Sequence, residues 1–164
     1  MLQSGKMDSR PFTDDSREPM KSLYEIPADI YERVHGAMLA IANASQAGDE
    51  VLCAAHYDQL HEFCEQQTAA GRGSGFMWEA LADVTDHSSQ RLAYYERSLA
   101  HAQHNSEPTH TVLLAIGQSH AEAGDWLRAE PLLVAARQQA ITCGDADTEG
   151  EAISFLLQVP TNDA

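Results

Sequence analysis

Two Gly-Asp dipeptides set the period of this chain. Gly48-Asp49 and Gly124-Asp125 lie 76 residues apart, and halfway between them, at residue 86, stands a third turn-forming cluster, Thr85-Asp86-His87. Three helix-turn-helix units with a period of 38 residues fit this punctuation without gaps. In that register Tyr57, Tyr95 and Leu133 coincide, and three residues later so do Leu60, Ser98 and Ala136. Self-similarity at this length marks a helical array, because one small unit cannot bury its apolar face and must stack on the next.

The segments between the turns carry the matching local signal. After Ile26-Pro27, where proline suits the first turn of a helix, Ile30, Val34, Met38 and Ile41 recur at spacings of three and four. No stretch alternates apolar and polar residues over more than a few positions, which disfavours β-rich and α/β folds and predicts an all-α chain. Its Ala and Leu richness agrees. At 164 residues there is room for one domain with a real core. Residues 1–22, polar and broken by Pro11 and Pro19, with Phe12 their one aromatic, read as a flexible arm. The helical domain is expected over 23–158, with 159–164 as a flexible tail. Within it, DADTEGEAISFLLQV predicts a C-terminal capping helix starting at Thr148, whose hydroxyl would form a capping box with Glu151. An array end needs such a cap.

The last unit, TVLLAIGQSHAEAGDWLRAEPLLVAARQQA, resembles a tetratricopeptide repeat: Gly117 at a close helix contact, Gly124-Asp125-Trp126 at the turn, then Ala129, Leu133 and Ala136 along the second helix. In the middle unit RLAYYERSLAHA is similar to the family's tyrosine-rich strip, but Glu79 and Arg91 stand where small residues are usual. The first unit keeps the AGD turn and Tyr57, with Ile41 in place of the glycine. The resemblance covers residues 27 to 142. The family's period is about 34 residues, so the loops here should be longer. It implies three antiparallel helical hairpins whose first helices line a concave groove that takes a partner's segment. Carried over by position, the resemblance places His35, Met38, Phe76, Asp83, Thr111, Leu114, Gln118 and Glu122 on that face. Core or cap contacts are the competing reading for Leu114 and Phe76.

The stretch CAAHYDQLHEFC, from Cys53 to Cys64, presents Cys-x2-His-x4-His-x2-Cys and invites a zinc reading. On a helix its two cysteines stand roughly 16 Å apart along the axis, and His56 and His61 point about 140° away from each other. One zinc ion, with bonds of about 2.0–2.3 Å, cannot reach all four. The same spacing puts Cys53, Tyr57, Leu60 and Cys64 in one stripe facing the core, where a free cysteine acts as a small hydrophobe. A two-residue metal site such as His61 with Cys64, completed from elsewhere, is the alternative. His101, His104 and His110 lack a defined fourth ligand and read as surface residues. Cys143 follows a helix rather than opening one, which makes it a poor nucleophile. Glu62 and Glu65 read as hydrated surface carboxylates, and GRGSG lacks the strand and lysine of a phosphate loop. No catalytic residue, cofactor or metal is expected.

Acidic residues outnumber basic ones 25 to 10, a net charge of -15 that repels nucleic acid and anionic lipid and draws in cationic proteins. Three widely separated cysteines and no apolar leader predict reduced thiols in the cytoplasm. The longest apolar run, TVLLAIG, falls far short of the roughly 20 residues that a membrane span needs. The expected function is therefore non-catalytic protein binding. One role that fits is an immunity protein or antitoxin that neutralises a basic toxin. The other is a secretion chaperone, since size, acidity and the three-unit plan are similar to class II type III secretion chaperones, which hold an effector or translocator segment in the groove. The 38-residue period and divergent middle unit depart from those chaperones and favour immunity. A metal- or thiol-dependent enzyme is the third class, the least favoured.

Overall fold

The structure, a computed structural model, describes residues 25–160. Seven helices follow one another: α1 (Ala28–Gln46), α2 (Glu50–Ala69), α3 (Gly75–Asp83), α4 (Ser88–Asn105), α5 (His110–Glu122), α6 (Trp126–Cys143) and α7 (Ala146–Leu156). No strand occurs among the described residues, so the all-α expectation holds. The expected arm, residues 1–22, and most of the expected tail lie outside the described residues. No helix among those described is long and apolar enough to cross a membrane.

A single dipeptide both ends one helix and starts the next. At φ 78° Gly124 adopts the left-handed conformation that closes α5, its amide donating to Ala121 O and that of Asp125 to His120 O at 2.8 Å. The Asp125 carboxylate then accepts from the Arg128 amide at 3.3 Å and caps α6. Gly48-Asp49 repeats the arrangement, Asp49 accepting from the Leu52 amide at 2.9 Å. So does Gly144-Asp145, which corrects the expected start of the last helix. α7 begins at Ala146 under an Asp145 cap, and Thr148 lies inside the first turn, its hydroxyl donating to Asp145 at 2.7 Å. The carboxylate one residue past the glycine is the stronger cap, and it displaced the Thr148–Glu151 box.

α2, α4 and α6 begin at Glu50, Ser88 and Trp126, 38 residues apart each time. The helices that precede them keep no such spacing: α1 has 19 residues, α3 only 9 and α5 13. Each of α1, α3 and α5 packs on the helix that follows it; α4 also meets α5, and α7 covers parts of α5 and α6.

Two apolar clusters hold the chain together. Ile30, Val34, Leu60, Cys64, Met77, Trp78, Leu81, Tyr95 and Val112 belong to the first, drawn from α1 to α5. Leu113, Leu114, Ala129, Leu133, Ala136 and Ala152 form the second, and half-buried Leu99 and Leu132 touch both. Burying a side chain of Leu or Ile size contributes about 1.5–3 kcal/mol. The register positions Leu60, Ser98 and Ala136 are all at most 1 % exposed, the Ser98 hydroxyl being satisfied by Gly75 O at 2.8 Å. Around Trp78 the packing turns polar. Its indole donates to Thr68 at 3.1 Å, while Arg97 lies 3.7 Å over the ring and grips Glu65 through two bonds of 2.7 and 2.9 Å. Glu65 is therefore an ion-pair partner and not merely hydrated, and Arg97 holds its carboxyl below the ordinary range.

Candidate partner-binding face

α1, α3 and α5 carry the eight residues expected to meet a partner, and the structure gathers seven of them into three groups. His35, exposed on α1, stacks on Tyr31 with ring centres 5.6 Å apart and planes 6° from parallel. Tyr31 in turn stacks on Phe76 of α3 at 5.8 Å, so three rings bridge two helices, and Tyr31 stays 48 % exposed. Met38, one turn further along α1, is half-buried against the first core cluster. The sequence reading missed Tyr31. Its position four residues before His35, which puts both on one face of a helix, was the available signal.

The second group is acidic. Glu79, half-buried on α3, is pushed up to about 7 by burial and by the negative charges of Asp83 and Glu107, with the Thr111 side chain of α5 opposing the rise. Asp83 is exposed as a residue, yet its carboxyl is shielded enough from water to be raised, and it accepts from the Tyr95 hydroxyl of α4 at 2.8 Å. Tyr95 is raised as well, first by burial and then by Asp83. Among the described residues neither Glu79 nor Asp83 takes part in an ion pair. Glu79 stands in the register position of Gly117, and nothing in the helical pattern marked it as a surface group.

The third group lies toward α7. Half-buried Gln118 donates to Glu151 at 3.2 Å, and exposed Glu122 closes α5. Leu114 joins none of the three. At 6 % exposure it belongs to the second core cluster and is not open to a partner in this structure, which corrects its placement on the face in favour of the competing core reading. Phe76 is half-buried and packs on the first cluster while keeping its stack with Tyr31.

The side chains that invited a metal or thiol reading are spread out. α2 runs unbroken from Glu50 to Ala69, with Leu60 and Cys64 buried and Cys53 and Tyr57 half-buried beside them. The Cys64 thiol lies 3.5 Å from Met77 O and is pushed up to about 12 by burial, which suppresses its thiolate. His61 stands 3.7 Å from Glu65. Among the described residues no group of three His, Cys, Asp or Glu is placed to hold a metal ion. His110 is not the surface residue expected. It opens α5 and reaches Asp145 at 3.1 Å with its side chain only 12 % exposed. His101 is half-buried, and burial lowers its imidazole. Cys143 is exposed at the end of α6.

A cleft of about 650 Å³ opens between the α1–α2 and α3–α4 turns, with Ile41, Cys53 and Tyr57 on its floor and Asp49, Glu50 and Asp86 around it. Among the described residues no arginine or lysine lines it. No protein-family model, no curated protein and no solved structure matches the chain.

Proposed function

We propose that the chain is a tetratricopeptide-like array of three helical hairpins with a capping helix, that it catalyses nothing, and that it binds a basic protein in the cytoplasm. In this reading it is an immunity protein or antitoxin, and its partner is a toxin or effector that it covers and neutralises. The observation that carries the reading is the pairing, on α1 and α3, of an open aromatic stack with two carboxylates, Glu79 and Asp83, that have no cationic partner among the described residues. Lysine and arginine side chains fit such a face on both counts, over the Tyr31 ring and against the carboxylates.

Charge across the molecule supports the same partner. Both lysines, Lys6 and Lys21, precede residue 25, and the later part of the chain has six arginines. Three of these, Arg72, Arg97 and Arg128, are already paired with Asp29, Glu65 and Asp125. The carboxylates left over give a field that accelerates encounter with a cationic surface.

Co-expression with the product of the neighbouring gene tests the proposal. A stable complex is expected, with an association rate that falls steeply as salt is raised. Replacing Tyr31 by Ala together with Asp83→Arg should slow association by at least about tenfold, since a cation then repels the incoming one. Lethality on deleting the gene only while its neighbour is intact supports immunity. A deletion that merely lowers the neighbour's level or secretion moves the assignment to a chaperone, and stoichiometric zinc in the purified protein overturns the non-catalytic reading.

A further inference from the structure

α6 buries one side and leaves a different apolar stripe open. Ala129, Leu133, Ala136 and Ala140 face the core, whereas Leu127, Val134 and Ile141 are 90 %, 51 % and 46 % exposed. These three are spaced by seven, and seven helical residues return to within about 20° of the same direction. They therefore form a narrow row about 21 Å long on the outside of one helix. Isolated exposed leucines need no explanation, but three large aliphatic side chains in heptad register on one helix form a seam.

The flanks of the seam say what covers it. Taking Val134 as zero, Glu130 and Arg137 lie on one side at about 40° and 60°, and Pro131 and Gln138 on the other. Neither Glu130 nor Arg137 is in an ion pair among the described residues. Set a second α6 antiparallel to the first, with the two-fold axis passing beside Val134. Each Leu127 then faces the second copy's Ile141, and the two Val134 side chains meet. Each Glu130 comes level with the second copy's Arg137 to about 1.5 Å and on the same side of the seam. A parallel pairing would instead set Glu130 against the second copy's Pro131 and Arg137 against its Gln138, leaving both charges unpaired. The face is thus self-complementary in one orientation only, as an isologous contact requires.

The rest of the molecule disfavours self-association, because a net charge of -15 repels its copy. The outer face of α6 is the exception: Glu130 and Arg137 beside the seam cancel, and Arg128, further round the helix, is paired with Asp125. We propose that the chain forms a homodimer through this face, α6 packed antiparallel on α6 with Val134 at the two-fold. It involves a helix that the proposed partner face does not use, and it stands or falls independently of that reading.

Sedimentation of the full chain from low micromolar to near-millimolar concentration tests it. The wild type should pass from monomer to dimer over that range. Val134→Glu should raise the dimer dissociation constant on the order of a hundredfold, because it exchanges two buried valines for two facing carboxylates. Glu130→Arg alone should raise it about tenfold, and adding Arg137→Glu should restore it, since the swapped charges meet again across the same axis. All three variants alter exposed positions, and an unchanged helical circular dichroism spectrum confirms that they fold. A wild type that is monomeric throughout overturns the proposal, as does a dimer indifferent to Val134→Glu. Failure of the charge swap to restore pairing overturns the antiparallel orientation.

Discussion

Burial lifts the carboxyl of Glu79 to about 7, so the folded chain keeps a proton that the unfolded chain, with its ordinary carboxyl near 4.5, has already released. A raised acid therefore costs stability as pH climbs: the loss begins near the unfolded value, grows up to the folded one, and is constant above it. Glu79→Gln should leave stability unchanged near pH 4.5 and raise it by roughly 1–3 kcal/mol at about pH 8. Urea denaturation at the two pH values reads the difference, and an equal gain at both would refute it. A glycine gives the opposite test. Substituting Gly117 would put a Cβ 2.9 Å from the Leu133 side chain, whereas at Gly36 a Cβ meets nothing within 4 Å. Gly36→Ala should stabilise by about 0.5–1 kcal/mol through helix propensity. Gly117→Ala should destabilise by about 1–2 kcal/mol, because overpacking outweighs that same gain. Thermal melts of the pair check both signs. The close contact at Gly117 was expected from the resemblance of the last unit to a tetratricopeptide repeat, and the Leu133 side chain beside it agrees. Of the acidic pair, Asp83 was expected on this face and Glu79 was not, because whether a carboxylate on a helix is hydrated or enclosed depends on which helix arrives beside it.

At the level of the helix, boundaries were readable where a local signal sets them. α2 and α6 start 76 residues apart because Asp49 and Asp125, each just past a left-handed glycine, cap them from within their own turns. The start of α3 has a mixed origin. Ser74 caps it locally, but the Gly75 amide donates to Glu107 at 2.9 Å, and a Cβ on Gly75 would lie 2.8 Å from that of Ala102. Those contacts reach across about thirty residues of sequence, where periodicity carries no information. Asp145 combines both kinds of control. It accepts from the Thr148 amide at 3.1 Å and the Thr148 hydroxyl at 2.7 Å while meeting His110 of α5 at 3.1 Å. Asp49 caps α2 through one bond only. Asp49→Ala should therefore cost about 1 kcal/mol, the usual worth of a cap. Asp145→Ala should cost about 2–3 kcal/mol, because it also leaves the nearly buried His110 without its partner. Hydrogen exchange should place the extra loss in α7 and the first turn of α5. Equal costs for the two substitutions would mean that the tie to His110 contributes nothing.

For the whole molecule, net charge was the quantity most directly legible and its placement the least. A charge of -15 follows from counting, but the sequence did not show that Arg72 and Arg97 are each committed to a two-pronged grip on a carboxylate. Those pairs leave repulsion as the dominant long-range force on the folded state. Screening shortens from about 30 Å at 0.01 M salt to about 8 Å at 0.15 M, which spans molecular dimensions at the lower salt and only neighbouring side chains at the higher. Adding sodium chloride over that range should thus stabilise the fold, raising the thermal midpoint by about 2–6 °C. The partly exposed ion pairs weaken in the same range, but such pairs contribute only about 0–1 kcal/mol each and cannot reverse the trend. Association with the proposed cationic partner would respond with the opposite sign, since the field that strains the isolated fold is the one that would draw such a partner in. Dimerisation through α6 adds a third response: screening relieves the repulsion between two acidic bodies, so the dimer should tighten with salt until the Glu130–Arg137 contacts begin to weaken. A thermal midpoint that fell with added salt would show that local ion pairs, and not the acidic surface as a whole, govern the stability of this chain.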